Sequence, residues 1–341
     1  MSRPEKVKAV VARLEHSNKD VRESALRRLR TLEAASLARR ANAVVARLED
    51  FHWEVRAAAF ETLEKLEPAV LAKYSNAVFA RLKDPNEFVR CQALSFIFTK
   101  KVGLDQATLT KHADAVAAIV DDSTVEGAFS SGALKLLGMM EPATLAQHAF
   151  AVRRRLEDRR VVDEDSDPPM TVNVVAVQTL EKLEPAALAQ HADAIVARLN
   201  DSRWHIVALG KLEPATLAQY GEALAASLEA ECNADHRVMR AAALDTLSKL
   251  EPAALAQHAG AVIARLQDSD EFVRRMAFSR PMDKLEPETL AQHAEALVTM
   301  LEHSDDQVRH LALQTLCRLD PAALAQYADA ILASGLCVRL F

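Results

Sequence analysis

The sequence predicts an all-α protein, an α-solenoid superhelix of about nine antiparallel helix pairs followed by a terminal half unit. Three observations lead there. The stretch Leu183 to Asn200, LEPAALAQHADAIVARLN, recurs with edits from one end of the chain to the other. Its apolar residues fall at helical spacing. Glycine is scarce, at 8 of 341 residues, which suits helices and argues against Gly-rich phosphate loops.

The Leu-Glu-Pro mark measures the period. It reads Leu66-Glu67-Pro68, Leu183-Glu184-Pro185, Leu212-Glu213-Pro214, Leu250-Glu251-Pro252 and Leu285-Glu286-Pro287. Met140-Glu141-Pro142 and Leu319-Asp320-Pro321 are variants, and Leu32-Glu33-Ala34 and Leu104-Asp105-Gln106 are degenerate copies. Successive third positions are separated by 34, 38, 36, 43, 29, 38, 35 and 34 residues. The mark therefore divides one repeat domain, 1–341, into units 4–33, 34–67, 68–105, 106–141, 142–184, 185–213, 214–251, 252–286 and 287–320, with a half unit 321–341.

Each unit reads as two helices. Leu188, Ala192, Ile195, Val196 and Leu199 form the apolar stripe of a first helix, and Val308, Ala312, Leu316 and Leu319 that of a second. Proline opens the first helix, where its missing N–H removes no bond. The cation just before the mark (Lys65, Lys182, Lys211, Lys249, Lys284, Arg318) suits the negative end of the helix that it closes. Ser304-Asp305-Asp306-Gln307 and Asp84-Pro85-Asn86-Glu87 fit capping boxes. Two short helices rich in Ala and Leu bury too little between themselves to offset the entropy of ordering about 36 residues. Neighbours must therefore stack.

Taken in order, the first unit is short, and its outer face carries Arg27, Arg28 and Arg30. The second and third are regular, the third ending in Phe96, Ile97 and Phe98. The fourth has Val125-Glu126 where its siblings have Val-Arg, and Gly127, Gly132 and Gly138 weaken its second helix by about 1 kcal/mol each relative to Ala. The fifth carries a surplus at 159–173, read as a charged loop because Asp163, Glu164, Asp165, Asp167, Pro168 and Pro169 cannot continue a helix. That loop is expected to be the interior site most open to proteases. The sixth is short, its second helix reduced to Arg203 to Leu212, and Pro281 predicts a kink or bulge near Ser279 in the eighth. The chain ends on Leu336, Val338, Leu340 and Phe341, without a polar closing helix.

Half of the residues are hydrophobic, aromatics are 5%, and the net charge is -6. Packing is thus by small aliphatics, and the acidic balance disfavours a dedicated nucleic-acid binder. The first residues lack the apolar run of a secretion signal, and no apolar stretch of about 18 residues exists to insert in a membrane. Cys91, Cys232, Cys337 and Cys317 form no Cys-x-x-Cys pair and read as reduced thiols of a cytoplasmic or nuclear protein.

Between the helices of a unit lies a more specific mark, Asp followed by Val-Arg. It runs Asp50 to Val55-Arg56, Asp84 to Val89-Arg90 and Asp268 to Val273-Arg274. Val21-Arg22 and Val308-Arg309 keep the second half, with His16 and His303 in the Asp place. This resembles the HEAT-repeat family of armadillo-like solenoids over nearly the whole chain. The resemblance implies a structural ladder of Asp50, Arg56, Asp84, Arg90, Asp268 and Arg274, bonding within and between neighbouring units. The proline opens the first helix instead of sitting inside it, which removes one reason to expect that helix to kink. In such folds the second helices line the concave side. By register Arg27, Glu61, Ser95, Asp245 and Gln314 would then meet a partner protein, and they vary in charge between units.

Other chemistries are weighed on the same residues. His112, His148, His191, His258 and His293 share one repeat position that Tyr74, Tyr220 and Tyr327 also fill. Packed helices lie about 8–10 Å apart, too far for two such rings to share an ion bound at about 2 Å. Half-buried rings with polar tips are expected instead. No histidine is followed by Glu, so the likeness to helical-repeat enzymes stops short of the His-Glu ligands of deoxyhypusine hydroxylase. Arg13, Arg47, Arg81, Arg155, Arg198 and Arg265 form a row, broken by Ile119, Ser227 and Met300, with Glu49, Asp50, Asp84 and Asp268 close by. It reads as a salt-bridged, solvated row rather than a phosphate track. Trp53 and Trp204 read as packing between units. No Ser-His-Asp arrangement, Walker loop or zinc spacing is present, so no catalytic, cofactor or metal site is assigned. The expected function is a protein-interaction scaffold. The alternatives are an enzyme or subunit such as a HEAT-like bilin lyase, and a nucleic-acid binder using the arginine row.

Overall fold

A computed structural model describes residues 3–122, 126–166, 169–229 and 234–333. Val125, Asp167, Pro168, Cys232, Cys337 and the apolar end from Leu336 to Phe341 lie outside the described residues. The chain divides into two compact units, Met1–Lys182 and Leu183–Phe341. Each is a stack of helix pairs. No described helix is long and apolar enough to cross a membrane.

In the N-terminal unit the second helices are Lys19–Arg30, Trp53–Leu63, Glu87–Lys100, Gly127–Leu137 and Val172–Leu180. Consecutive members of this series pack against one another. In the C-terminal unit they are Arg203–Leu209, Ala234–Leu247, Glu271–Phe278 and Asp306–Leu316. The apolar stripes face inward. Leu188, Ala192, Ile195 and Leu199 are buried, as are Val308, Ala312, Leu316 and Leu319, while Val196 is half-buried.

The first helices bend without proline. At Arg40, Tyr74, His112, His191, Tyr220, His258 and His293 the backbone leaves helical values, with φ between -108° and -122° and ψ between -1° and 12°. The turn tightens there by i→i+3 bonding, as in His191 N–H to the Leu188 carbonyl and Ala194 N–H to the His191 carbonyl. Only Pro142–Arg154, among the described first helices that open on proline, runs unbroken through this position. Most first helices close in a second tight turn, such as Arg81–Lys83 and Arg265–Gln267.

Both anticipated capping boxes shift along the chain. Asn86, not Asp84, caps Glu87–Lys100, accepting from the Val89 N–H at 3.2 Å. Asp305, not Ser304, caps Asp306–Leu316, accepting from the Gln307 N–H at 2.8 Å. Arg56 and the Asn86 N–H both bond one oxygen of Asp84, so this carboxylate serves the linker and the ladder and not the helix start.

The surplus at 159–173 is not a plain loop. Val161–Asp163 and Met170–Thr171 pair as antiparallel strands, with Val161 opposite Thr171. This ribbon packs on the Gly127–Leu137 helix. A Cβ on Gly127 would lie 3.3 Å from Arg160 Cβ, a tight approach at the start of that helix. Gly132 has a similar reason: a Cβ there would meet Leu94 Cδ2 at 2.5 Å. These glycines permit close approach of elements, beyond any effect on helix propensity. At Ser279, with ψ -121°, the eighth repeat's second helix breaks into Glu271–Phe278 and Arg280–Lys284.

Candidate functional site

Most polar side chains that repeat along the chain are committed to holding it together. Arg22 donates to both carboxylate oxygens of Asp50, at 2.7 and 2.8 Å, and to its own linker carbonyls at His16 and Ser17. Arg56 donates to Asp84 at 2.5 Å and to the carbonyls of Asp50 and Phe51. In the C-terminal unit Arg240 pairs with Asp268, and Arg274 with Asp305 at 3.1 Å, while Arg274 also donates to the carbonyls of Asp268 and Ser269. Arg90 keeps the bonds within its own linker, to the carbonyls of Asp84 and Pro85. The guanidinium suits this double task because its fork offers donors in two directions.

The Asp also turns its own linker by accepting the N–H two residues on, as Asp50 does from His52 and Asp268 from Asp270. His16 and His303 do the same through Nδ1, from Asn18 and Asp305, each at 3.0 Å. Histidine can therefore stand in the Asp place. Burial alone would push the Asp50 carboxyl up. The hydrogen bond from Arg22, the His52 N–H and the charges of Arg22 and Arg47 outweigh it and hold Asp50 below the ordinary carboxylate range. A carboxyl lowered in the folded state contributes stability above its unfolded pKa and loses it as pH falls through the folded value. Acidification from neutral to well below about pH 4 should thus loosen the N-terminal unit. Asp50→Asn should be less stable at neutral pH and show a flatter acid limb in chemical denaturation. An acid limb of wild-type steepness in that variant would remove Asp50 from the account.

The first-helix arginines keep the expected ion pairs, Arg47 with Asp50, Arg81 with Asp84, Arg155 with Asp158, Arg198 with Asp201 and Arg265 with Asp268, and Arg13 is exposed, but four of them also turn away from solvent. Arg47 donates to the Leu14 carbonyl, Arg81 to Leu48 and Arg265 to Leu228, at 2.8, 3.0 and 2.9 Å, and Arg155 to Val120. Each acceptor lies in the preceding repeat, so this row is a second ladder of inward-turned donors. Buried Thr62 and Thr179 donate to the carbonyls of Ala58 and Val175 in their own helices, at 2.7 and 2.8 Å, and lie 3.2 Å from the Leu26 and Leu134 carbonyls of the preceding repeat, while Thr246 lies 3.3 Å from that of Ile206. The shared His/Tyr position behaves likewise. Tyr74 Oη donates to Asn42 Oδ1 at 2.6 Å, Tyr220 Oη to Asp193 Oδ1 at 2.9 Å, and His112 Nε2 lies 3.1 Å from Asn76 Oδ1. Among the described residues no three His, Cys, Asp or Glu side chains are placed to hold a metal ion. Trp53 meets Phe88 of the next repeat edge to face at 5.9 Å, and the Arg203 guanidinium lies over Trp204 at 4.9 Å.

What is left uncommitted lies on the second helices. Arg27, Glu61 and Ser95 sit on Lys19–Arg30, Trp53–Leu63 and Glu87–Lys100, three helices packed in succession. Arg27 pairs with Glu23 at 2.5 Å, Glu61 with Arg30 at 2.7 Å, and the Ser95 side chain is exposed. Beside them opens a cleft of about 380 Å3 lined by Arg30, Glu61, Glu64, Lys65, Thr99 and Lys100. In the C-terminal unit Asp245 lies 3.6 Å from Arg280 and 3.8 Å from Lys249, and Gln314 Nε2 is 3.0 Å from His310 Nε2.

The cleft arises from an irregularity. The third repeat is 38 residues long against 34 for the second. Its surplus lengthens the second helix to Lys100, and Lys101 closes it in a left-handed conformation, φ 52° and ψ 41°. Gly103, at φ 67°, turns the chain back toward the next first helix. The added turn carries Thr99 and Lys100 past the shorter neighbour that ends at Leu63, and so forms one wall. Sequence reasoning assigned Lys65 to closing its helix and left Thr99 and Lys100 aside; the signal that could have found them was the surplus itself.

No family model and no curated protein matches the sequence. Solved structures do. A structure of Kap121p bound to Pho4p matches over 99% of this chain and 40% of its own, at 16% identity and a TM-score of 0.52. Kap121p bound to Ste12p gives the same coverage and score at 15% identity. A structure concerning the interaction between cadherin and beta-catenin matches over 93% of this chain and 68% of its own, at 15% identity and a TM-score of 0.55. The chain spans about 40% of the length of the Kap121p chains that it matches. Stacked helix pairs, the cross-repeat Arg–Asp ladder and these likenesses agree, and the protein is an α-solenoid of the HEAT and armadillo kind.

Proposed function

We propose that the chain is a scaffold that binds a partner protein across exposed positions of its second helices. Arg27, Glu61 and Ser95 form the contact in the N-terminal unit, and Asp245 and Gln314 lie on the corresponding helices of the C-terminal unit. One observation carries this reading. The recurrent arginines and ring positions are spent on bonds between repeats, whereas the second-helix positions differ from repeat to repeat and are anchored by surface pairs. Solved structures with this fold are of proteins bound to proteins, Kap121p with Pho4p and with Ste12p.

Nucleic acid is the weaker alternative. Arg47, Arg81, Arg155 and Arg265 point at carbonyls of the preceding repeat and are not offered to phosphates. Affinity capture from the native extract tests the scaffold reading. Arg27→Glu, Ser95→Glu and Asp245→Lys together should abolish recovery of the partner that the wild type retains stoichiometrically. The helical circular dichroism should not change, because surface ion pairs are worth only about 0–1 kcal/mol. Retention of the partner by this variant would rule out the face.

A further inference from the structure

We propose that the cleft between the second helices of the first three repeats receives an acidic, extended segment of a protein partner. The proposal rests on the scaffold reading and adds the chemistry of the occupant. Its starting point is Lys65. At the same register Lys249 donates to the Gly210 carbonyl, Lys284 to the Leu250 carbonyl and Arg318 to the carbonyls of Met282 and Leu285. Each of these cations closes the end of the preceding repeat's second helix. Lys65 makes no such bond, and neither does Lys182 at the same register, among the described residues. The Lys65 ammonium is released to the cleft, where no hydrogen bond or ion pair holds it among the described residues.

Lys100 is the second observation, and it is independent of the first. It stands on the extra turn of the third repeat, on the opposite wall, also without an ionic partner among the described residues. Arg30 completes the set and is held by Glu61 at 2.7 Å. Three helices end at this place, and the cleft between them is lined by three cations, Arg30, Lys65 and Lys100, against two carboxylates, Glu61 and Glu64. The helix dipoles favour cations there by a few tenths of a kcal/mol each, which accounts for their sign. It does not account for an open cleft between them.

Carboxylates arranged along an extended chain match this pattern. One would reach Lys65, a second Lys100, and a third would compete with Glu61 for the Arg30 fork. Glu61, part of the scaffold face, also gates this cleft, and removing its charge should help the acidic ligand. The lining has no aromatic ring on which a base could stack, so a single-stranded nucleic acid would meet only its phosphates.

The probe is a fluorescein-labelled peptide of about twelve residues alternating Glu with Ser or Gly, followed by anisotropy with the full chain at low salt. A Ser/Gly peptide and a thymidine oligonucleotide of similar length serve as comparisons. We expect the acidic peptide to bind and to weaken with rising salt. Lys65→Glu with Lys100→Glu should weaken it at least about tenfold, the neutral Lys65→Gln with Lys100→Gln by less, and Glu61→Gln should tighten it severalfold. Lys83→Glu, outside the cleft, should change little. Tightening by Glu61→Gln is the signature that a purely structural role would not produce. Failure of the acidic peptide to bind, equal binding by the lysine variants, or an oligonucleotide that binds as tightly through the same lysines would each overturn the proposal. If capture of the native partner still depends on Arg27, Ser95 and Asp245 while the acidic peptide fails, the acidic occupant falls and the scaffold stands. If the peptide binds the cleft while that capture is unaffected, the scaffold face falls and the cleft stands.

Discussion

Replacing Arg56 with Met should destabilise the N-terminal unit by about 3–5 kcal/mol. The Asp84 side chain is fully buried beneath Arg56, with exposures of 0% and 7% for the two side chains. Without the guanidinium its carboxylate keeps only the Asn86 N–H at 3.0 Å and the more distant Arg81, at 3.7 Å. A buried charge that has lost its partner bears its desolvation uncompensated. The carbonyls of Asp50 and Phe51 also lose a donor, which ties the damage to the adjoining linker. The double variant Arg56→Met with Asp84→Leu should recover much of the loss, since replacing both members of a buried pair by apolar groups is often neutral. Denaturant unfolding of the four proteins closes the cycle. A single Arg56→Met variant within about 1 kcal/mol of wild type would mean that the ladder contributes far less than its burial implies.

Gly103→Ala should be the second large loss, about 2–5 kcal/mol. Two effects add. The backbone at φ 67° is left-handed, which disfavours any residue with a Cβ by about 1–2 kcal/mol. A Cβ there would stand 2.8 Å from Phe79 Cε2 and 2.9 Å from both Ser75 Cβ and Thr108 Cγ2, and overpacking of this kind costs about 1–3 kcal/mol. Phe79 is itself fully buried and stacks on His112 at 4.9 Å, so it has little room to retreat. Hydrogen exchange should localise the change to the end of Glu87–Lys100 and the start of Gln106–Lys111. Because Lys100 belongs to the same turn, Gly103→Ala should also weaken the acidic peptide. A variant with wild-type stability and unchanged exchange there would show that the turn re-forms without its glycine.

Much of the architecture was legible in the amino-acid order. The recurrence of Leu-Glu-Pro, the apolar stripe of Leu188, Ala192, Ile195 and Leu199, and the Asp to Val-Arg linker are local patterns with local causes. A helix needs only neighbours three and four residues away, so spacing alone declares it. The break at Ser279 was legible for the same reason, since Pro281 acts within one turn.

The bends at the His/Tyr position were not, because no proline marks them and the turn tightens through its own backbone bonding. Nor were the capping residues, since the linker turn sets which side chain, Asn86 or Asp305, meets the first free N–H groups. The ribbon of Val161–Asp163 with Met170–Thr171 escaped a reading based on charge and proline, because strand pairing depends on a partner several residues away.

The sequence by itself thus determined the fold class. The tertiary structure decided how individual charges are used. Arg47 and Arg265 turn inward to a carbonyl more than thirty positions earlier, while Lys65, in the same register as Lys249, makes no such bond and lines the cleft. The physical reason is reach. Helical periodicity is settled within a turn, but the partner of a long cation is whichever acceptor stacking brings within about 3 Å, and that depends on the length of the neighbouring repeat.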